Sequence, residues 1–182
     1  MILVTVGTHH APFDRLIEAA EGYAARSGER VVVQTGPSRV PAPHCETFVW
    51  ILPERLETLA AEARVVVTHA GPGSILMALA AGRVPVVVPR DPSRGEHVDD
   101  HQIRFAAHLA DPVRVVLDTT ALAEALESPT INGTGQGEAT VHEQQSQDFA
   151  GRLEVVIDEV TAAGAPSCAR KLWRFLARGH RA

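Results

Sequence analysis

The residues best suited to chemistry stand in four short polar stretches, each directly behind an apolar run. The first is Gly7-Thr8-His9-His10 and the second Gln34-Thr35-Gly36. The third is Thr68-His69-Ala70-Gly71-Pro72-Gly73-Ser74-Ile75, and the fourth runs from Arg90 through Asp91, Glu96 and His97 to Asp99-Asp100-His101-Gln102. In the third stretch a buried strand passes into a Gly-rich turn, and a helix is expected from about Ser74. Glycines admit a ligand close to the backbone, and a helix N-terminus presents unpaired N–H groups at a positive dipole end. That is a site for a phosphate. Ser74 either binds a phosphate oxygen or serves only as an N-cap, a role for which Ser is strongly preferred.

Other phosphate and metal chemistries fit less well. No G-x-x-x-x-G-K-[ST] loop exists, and the dinucleotide pattern G-x-G-x-x-G fails at its third glycine, where Leu76 stands, although Asp91 lies at the usual distance. His97 and His101 are four apart, as two ligands on a helix would be. However, His97 is expected to precede the helix and H-E-x-x-H is absent, so no metal site is expected. Capping by Asp99 or Asp100 would place His101 and Gln102 in a first helical turn, where they offer donors and acceptors to hydroxyls. His9, at a strand end, is the one plausible general base in these loops.

The elements that must hold these loops are legible as apolar runs: Ile2–Val6, Arg30–Gln34, Thr47–Trp50, Val65–Thr68, Pro85–Val88 and Val113–Leu117. Most are continuous rather than alternating, as for strands buried on both faces of a parallel sheet. Helical spacing falls between them at Phe13-Leu16-Ile17-Ala20, Leu56-Leu59-Ala60-Ala63, Ile75-Leu76-Leu79-Ala80 and Ile103-Ala106-Ala107. One helix per strand predicts an α/β fold: a doubly wound, mostly parallel, Rossmann-like sheet over residues 1–127. Ligands of such sheets bind at the carboxyl ends of the strands, where all four polar stretches fall. Residues 128–140, rich in Gly, Thr and Gln, read as a flexible loop, and 141–182 as a helical C-terminal appendage.

With 45% hydrophobic and 21% charged residues among 182, the chain has a core to bury and a polar surface to expose, which argues against wholesale disorder. Its net charge of −5 gives no basis for nucleic-acid binding. No run is long enough to span a membrane, and two cysteines with no signal-like N-terminus suggest a reducing cytoplasm. The last acidic residue is Glu159. Beyond it Arg170, Lys171, Arg174, Arg178 and Arg181 accompany Leu172, Trp173, Phe175 and Leu176, a tail expected to pack on its own domain or on a partner.

Taken in order, Val4 to His9, Pro12 to Ile17, Val33 to Gly36, Thr68 to Ile75, Val87 to Arg90 and Glu96 to Gln102 resemble the C-terminal, donor-binding domain of family 28 glycosyltransferases. The likeness is greatest to small subunits of two-part UDP-sugar transferases of the dolichol-linked GlcNAc and bacterial exopolysaccharide types. The resemblance implies half of a GT-B fold that binds a UDP-sugar, with no cofactor or metal. It implies a membrane-anchored acceptor-binding subunit as partner, a lipid-linked or polysaccharide acceptor, and a cytoplasmic site at the inner membrane face. By motif position, His69 and Gly71 to Ser74 would hold the diphosphate, and His101 and Gln102 the sugar. Gly7, Thr8 and His9 would line the diphosphate and sugar side, and Gln34, Thr35 and Gly36 would lie by the uracil. One departure stands out: Met77 occupies the place where the family has a ribose-binding Glu. That leaves a non-catalytic nucleotide-sugar-binding module as the alternative, with an NAD-type oxidoreductase or a hydrolase behind it.

Overall fold

The computed structural model describes residues 1–109 and 113–127. Six strands form one parallel sheet: β1 (Ile2–Thr5), β2 (Val31–Gln34), β3 (Glu46–Phe48), β4 (Val65–Thr68), β5 (Pro85–Val87) and β6 (Arg114–Val115). Their order is β3-β2-β1-β4-β5-β6, and every pairing is parallel. Helices α1 (Asp14–Ser27), α2 (Pro53–Glu62), α3 (Pro72–Ala80) and α4 (His101–Ala107) make the crossovers, and α5 (Leu122–Glu127) follows β6. This is the Rossmann-like arrangement that the alternation of runs predicts. The expected loop at 128–140 and appendage at 141–182 lie outside the described residues.

The apolar runs are continuous because both faces of the central strands are covered. Ile2, Val4, Val31, Val33, Val65 and Val67 pack on one side with Leu16, Ile17 and Ala20 of α1 and with Leu122 and Leu126 of α5. Leu3, Val32 and Val66, one residue out of phase, meet Leu59, Ala60 and Ala78 of α2 and α3. Burying each such side chain contributes about 1.5–3 kcal/mol, so a one-residue slip would misplace both layers at once. Continuous burial fails at the edges. β3 is three residues long and exposed throughout, and β6 is two residues long and half-buried, because neither has a strand on its far side.

The loops at the carboxyl ends are tied together by a buried cation. Arg90 is fully buried behind β5. Its guanidinium donates to the carbonyls of Val6 (2.8 Å), Ala11 (3.0 Å), Pro12 (3.1 Å) and Glu96 (3.1 Å), and it lies 4.7 Å from the Phe13 ring centroid. Glu96, also buried, takes two bonds from Arg15 (2.7 and 3.0 Å) and one from the Asp91 amide (2.8 Å). Desolvation draws the Arg90 pKa down to about 10, partly offset by Glu96, so the group stays charged at neutral pH. Removing such a group leaves four carbonyls without their donor, and unpaired buried polar groups are costly. Arg90→Met is therefore expected to lose about 3–5 kcal/mol of stability, read as a lower urea midpoint, whereas a loss below ~1 kcal/mol would show that the loops hold without it.

Candidate functional site

The strand order reverses between β1 and β4, and two of the polar stretches emerge side by side at that point. Behind β1 the chain turns at Gly7, whose φ of +73° suits glycine. Behind β4, His69 lays its ring between the two loops. A Cβ on either Gly7 or Gly71 would overlap that ring, so both glycines are required by the imidazole as much as by any ligand. Gly73 differs: it is exposed, and a Cβ there would meet nothing within 4 Å. The helix begins two residues earlier than expected, at Pro72, with Gly71 in the N-cap position. Ser74 is thus not the cap. Its amide bonds back to the Gly71 carbonyl at 3.1 Å, and its half-buried side chain sits in the first turn. Pro72 has no N–H, so Gly73 carries the first amide of α3.

The stretch behind β2 is largely turned inward. The buried Gln34 accepts from Thr5 Oγ1 at 2.6 Å and donates to the Gly7 carbonyl at 2.9 Å, which makes it a brace for the β1 loop. Thr35 and Gly36 donate their amides to the carbonyls of Phe48 (2.8 Å) and Val49 (3.1 Å), continuing the ladder toward the edge. Thr8 is exposed beside them.

Behind β5, Gln102 is buried at the start of α4, and its Oε1 accepts from the Arg90 amide at 3.2 Å. Asp100 stands in the N-cap position without a side-chain capping bond. Asp99 does the capping instead, accepting from the His101 amide at 3.1 Å while its Oδ1 also pairs with His101 Nδ1. His97 is stacked on His9 with ring centroids 4.2 Å apart and meets His101 edge-on at 4.4 Å. His10 flanks His9 at 4.3 Å. His97 does precede the helix, yet the turn still brings His97, Asp99 and His101 together, with ligand atoms all within 4.8 Å of one another. Asp91 is occupied by the amide and hydroxyl of Ser93. Met77 packs, partly buried, against the layer of Leu3, Leu59 and Val66, and offers no polar atom to a ribose.

Known proteins place this geometry. Residues 1–153 match the glycosyltransferase family 28 C-terminal domain, most of the chain and well past the motif-bearing stretch. The chain belongs to that family. Among solved structures it is similar to CalG4, the calicheamicin glycosyltransferase, with 22% identity and a TM-score of 0.53, covering 91% of this chain and 43% of that one. It also matches the glycosyltransferase of kitacinnamycin (19% identity, TM-score 0.48, 97% of this chain and 42% of that one). A further match is MurG of Acinetobacter baumannii (16% identity, TM-score 0.46, 97% and 49%). The chain spans less than half the length of each. No curated protein matches it. None of the helices among the described residues is long and apolar enough to cross a membrane.

The electrostatics of this family 28 domain are set by neutral imidazoles. Burial, with Arg90 second, drives the His69 pKa down to about 3. Burial, with His97 and Arg90 behind it, drives His9 to about 4. His97 is lowered as well, by burial first and then by His101. His9 Nδ1 accepts the Ala11 amide at 3.1 Å, which places the proton of the neutral ring on Nε2. Arg90, Glu96, His97 and Asp99 fall within the fourth polar stretch, yet the sequence assigns them no ligand-binding role. The available signal was an arginine placed directly after the buried Val86-Val87-Val88-Pro89 run, where a charge must be paired.

Two outcomes follow. Gly71→Ala must displace the His69 ring and is expected to lower the melting temperature, whereas Gly73→Ala, with open space around it, should leave the melt nearly unchanged; equal melts would refute the wedge. The lowered histidine pKa values mean that the unfolded chain binds more protons between pH 6.5 and about 4. Stability should therefore fall as pH drops through that window, and between pH 6.5 and about 5 the fall precedes most carboxylate titration. His69→Gln should flatten the fall, and an unchanged slope in urea titrations at pH 6.5 and 5 would count against a neutral His69.

Proposed function

We propose that this chain is the donor-binding half of a glycosyltransferase that moves a hexose-type sugar from a UDP-sugar to a lipid-linked or polysaccharide acceptor. The acceptor-binding half resides on a membrane-anchored partner, which keeps the activity at the cytoplasmic membrane face. The observation that carries the reading is the pairing of an open glycine, Gly73, at the start of α3 with the His9 loop at the point where strand order reverses, in a chain of this family.

The chemistry of a glycosyl diphosphate fits these groups. As the bond to the sugar breaks, negative charge grows on the departing phosphates. The Gly73 amide, at the positive end of a nine-residue helix, meets that charge with no reorganisation. In this reading His9 is a donor rather than the base expected from its position. Its Nδ1 lone pair is taken by the Ala11 amide, and its Nε2–H is free to bond a phosphate oxygen. An inverting displacement needs a base for the acceptor hydroxyl, and that task falls to the partner half. Gln102 keeps its amide NH2 for a sugar hydroxyl while its oxygen holds the Arg90 amide. His101, fixed through Nδ1 by Asp99, presents Nε2 beside it. The apolar packing of Met77 favours a second reading, a nucleotide-sugar-binding module without catalysis, in which the ribose is held less tightly.

Calorimetric titration of the full chain with UDP tests the donor site. Gly73→Val, whose Cβ would meet nothing within 4 Å among the described residues, should keep the fold and abolish UDP binding; unchanged affinity in the folded variant, or a thermal shift with NAD and none with UDP, would overturn the reading. With UDP at one hundred times its Kd the stabilisation should reach about 2.7 kcal/mol. Gln102→Ala should weaken UDP-sugar more than UDP, by about 1–3 kcal/mol, and also lower stability because the Arg90 amide loses its acceptor.

A further inference from the structure

The turn between β5 and α4 gathers more metal-ligating chemistry than donor binding requires. His97, Asp99 and His101 occupy alternate positions of one short segment, and their ligand atoms lie within 4.8 Å of one another. His97 Nδ1 and Asp99 Oδ1 are 3.4 Å apart, close to the separation of about 3.4 Å between two ligands of a tetrahedral centre with metal bonds near 2.1 Å. His101 Nδ1 already touches the same carboxylate oxygen. The rings of His97 and His101 meet edge to face, so their in-plane lone pairs can point to a common centre. His97 Nδ1 accepts the Asp99 amide at 3.4 Å, a long bond that a metal ion would displace.

We propose that His97, Asp99 and His101 form a binding site for one divalent transition-metal cation of the Zn2+, Co2+ or Ni2+ type. Two imidazoles and one carboxylate select these ions over Mg2+ and Ca2+, which require mostly oxygen ligands. Burial is graded as an entry path requires: the His97 side chain is 9% exposed, while His101 and Asp99 are 34% and 53% exposed. His9, stacked flat on His97, holds that ring in place much as outer partners hold metal-bound imidazoles elsewhere. Three protein ligands leave at least one position for water or for an oxygen of a bound molecule. Sequence reasoning set this pair of histidines aside because His97 precedes the helix. The turn, rather than a helical face, brings them together. The proposal stands independently of the donor reading.

The test uses the full chain without an affinity tag, stripped of metal with a chelator and titrated with Co2+ by visible absorption and with Zn2+ by calorimetry. One equivalent should bind saturably, and the Co2+ complex should develop visible bands. His97→Ala, His101→Ala and Asp99→Asn should each weaken binding at least tenfold. His44→Ala, a change at an exposed imidazole on the β2–β3 connection, should leave it unchanged. Melting curves confirm that each variant is folded. Should His97→Ala fail to fold, the more exposed His101 and Asp99 variants carry the test. Absence of a saturable equivalent in the wild-type chain, or wild-type affinity in a His97→Ala/His101→Ala double variant, would overturn the proposal. Titration with UDP in chelator separates the two readings. Retained UDP binding without any Co2+ binding overturns the metal site alone. Co2+ binding without UDP binding supports the metal site and removes the donor reading.

Discussion

A guanidinium with no solvent exposure must be surrounded by acceptors, and that requirement organises this end of the sheet. Arg90 leaves β5 pointing back across the strand ends, and the carbonyls it finds belong to Val6, Ala11 and Pro12 of the β1 loop and to Glu96 of its own loop. Arg15 enters from α1 to share Glu96 and to bond the Pro89 carbonyl at 2.7 Å. Two cations and one carboxylate thus clamp the β1 and β5 loops to each other and to α1. Hydrogen bonds to charged donors are stronger than neutral ones, and the clamp satisfies carbonyls that a loop over apolar strands would otherwise leave bare. The conformation of the β1 loop is in this sense a consequence of Arg90. The same applies to the loop that carries His97 and His101.

That dependence explains what the sequence discloses and what it hides. The central strands are legible because Ile2–Thr5, Val31–Gln34, Val65–Thr68 and Pro85–Val87 need cover on both faces, and burial on both faces writes an unbroken apolar run. The edge strands are legible only in outline. Thr47–Trp50 reads as a four-residue strand, yet pairing covers Glu46–Phe48, and Val49 and Trp50 are exposed. Their β propensity has no second neighbour to express it. The start of α3 was misjudged because Ser74 is a common N-cap, whereas Pro72 at a first helical position and Gly71 before it set the boundary. Gln34 reads as a ligand-facing residue from its place at a strand end. Only the register, which sets Thr5 opposite Gln34, turns its amide into a bridge to Gly7.

The glycines make a similar point. Gly7 and Gly71 look, from sequence, like room for a ligand, and the room is filled by the His69 ring. Gly73, two residues on, is the position whose missing side chain leaves space open to the outside. Which glycine serves packing and which serves access is a three-dimensional property. Spacing along the chain narrows the choice to the loop and no further.

The imidazole cluster raises the question of where positive potential at this site originates. His9 and His69 are held neutral well below physiological pH, chiefly by burial, and after it by Arg90 for His69 and by His97 and then Arg90 for His9. An imidazolium near a departing diphosphate would bind ground and transition states alike and would retain product, whereas dipoles aimed at the developing charge favour the transition state. Under the proposed donor reading, the groups that meet the anion are then N–H dipoles: the amide of Gly73 at the start of α3, and the Nε2–H of His9. The Arg90 charge acts only at a distance, because its contacts among the described residues are carbonyls. Its field serves two ends with one residue: it attracts negative charge toward the cleft, and it raises the cost of protonating the histidines that line it. Burial, reinforced by that charge, keeps the imidazoles neutral, and a neutral ring with one fixed proton is a donor of fixed orientation.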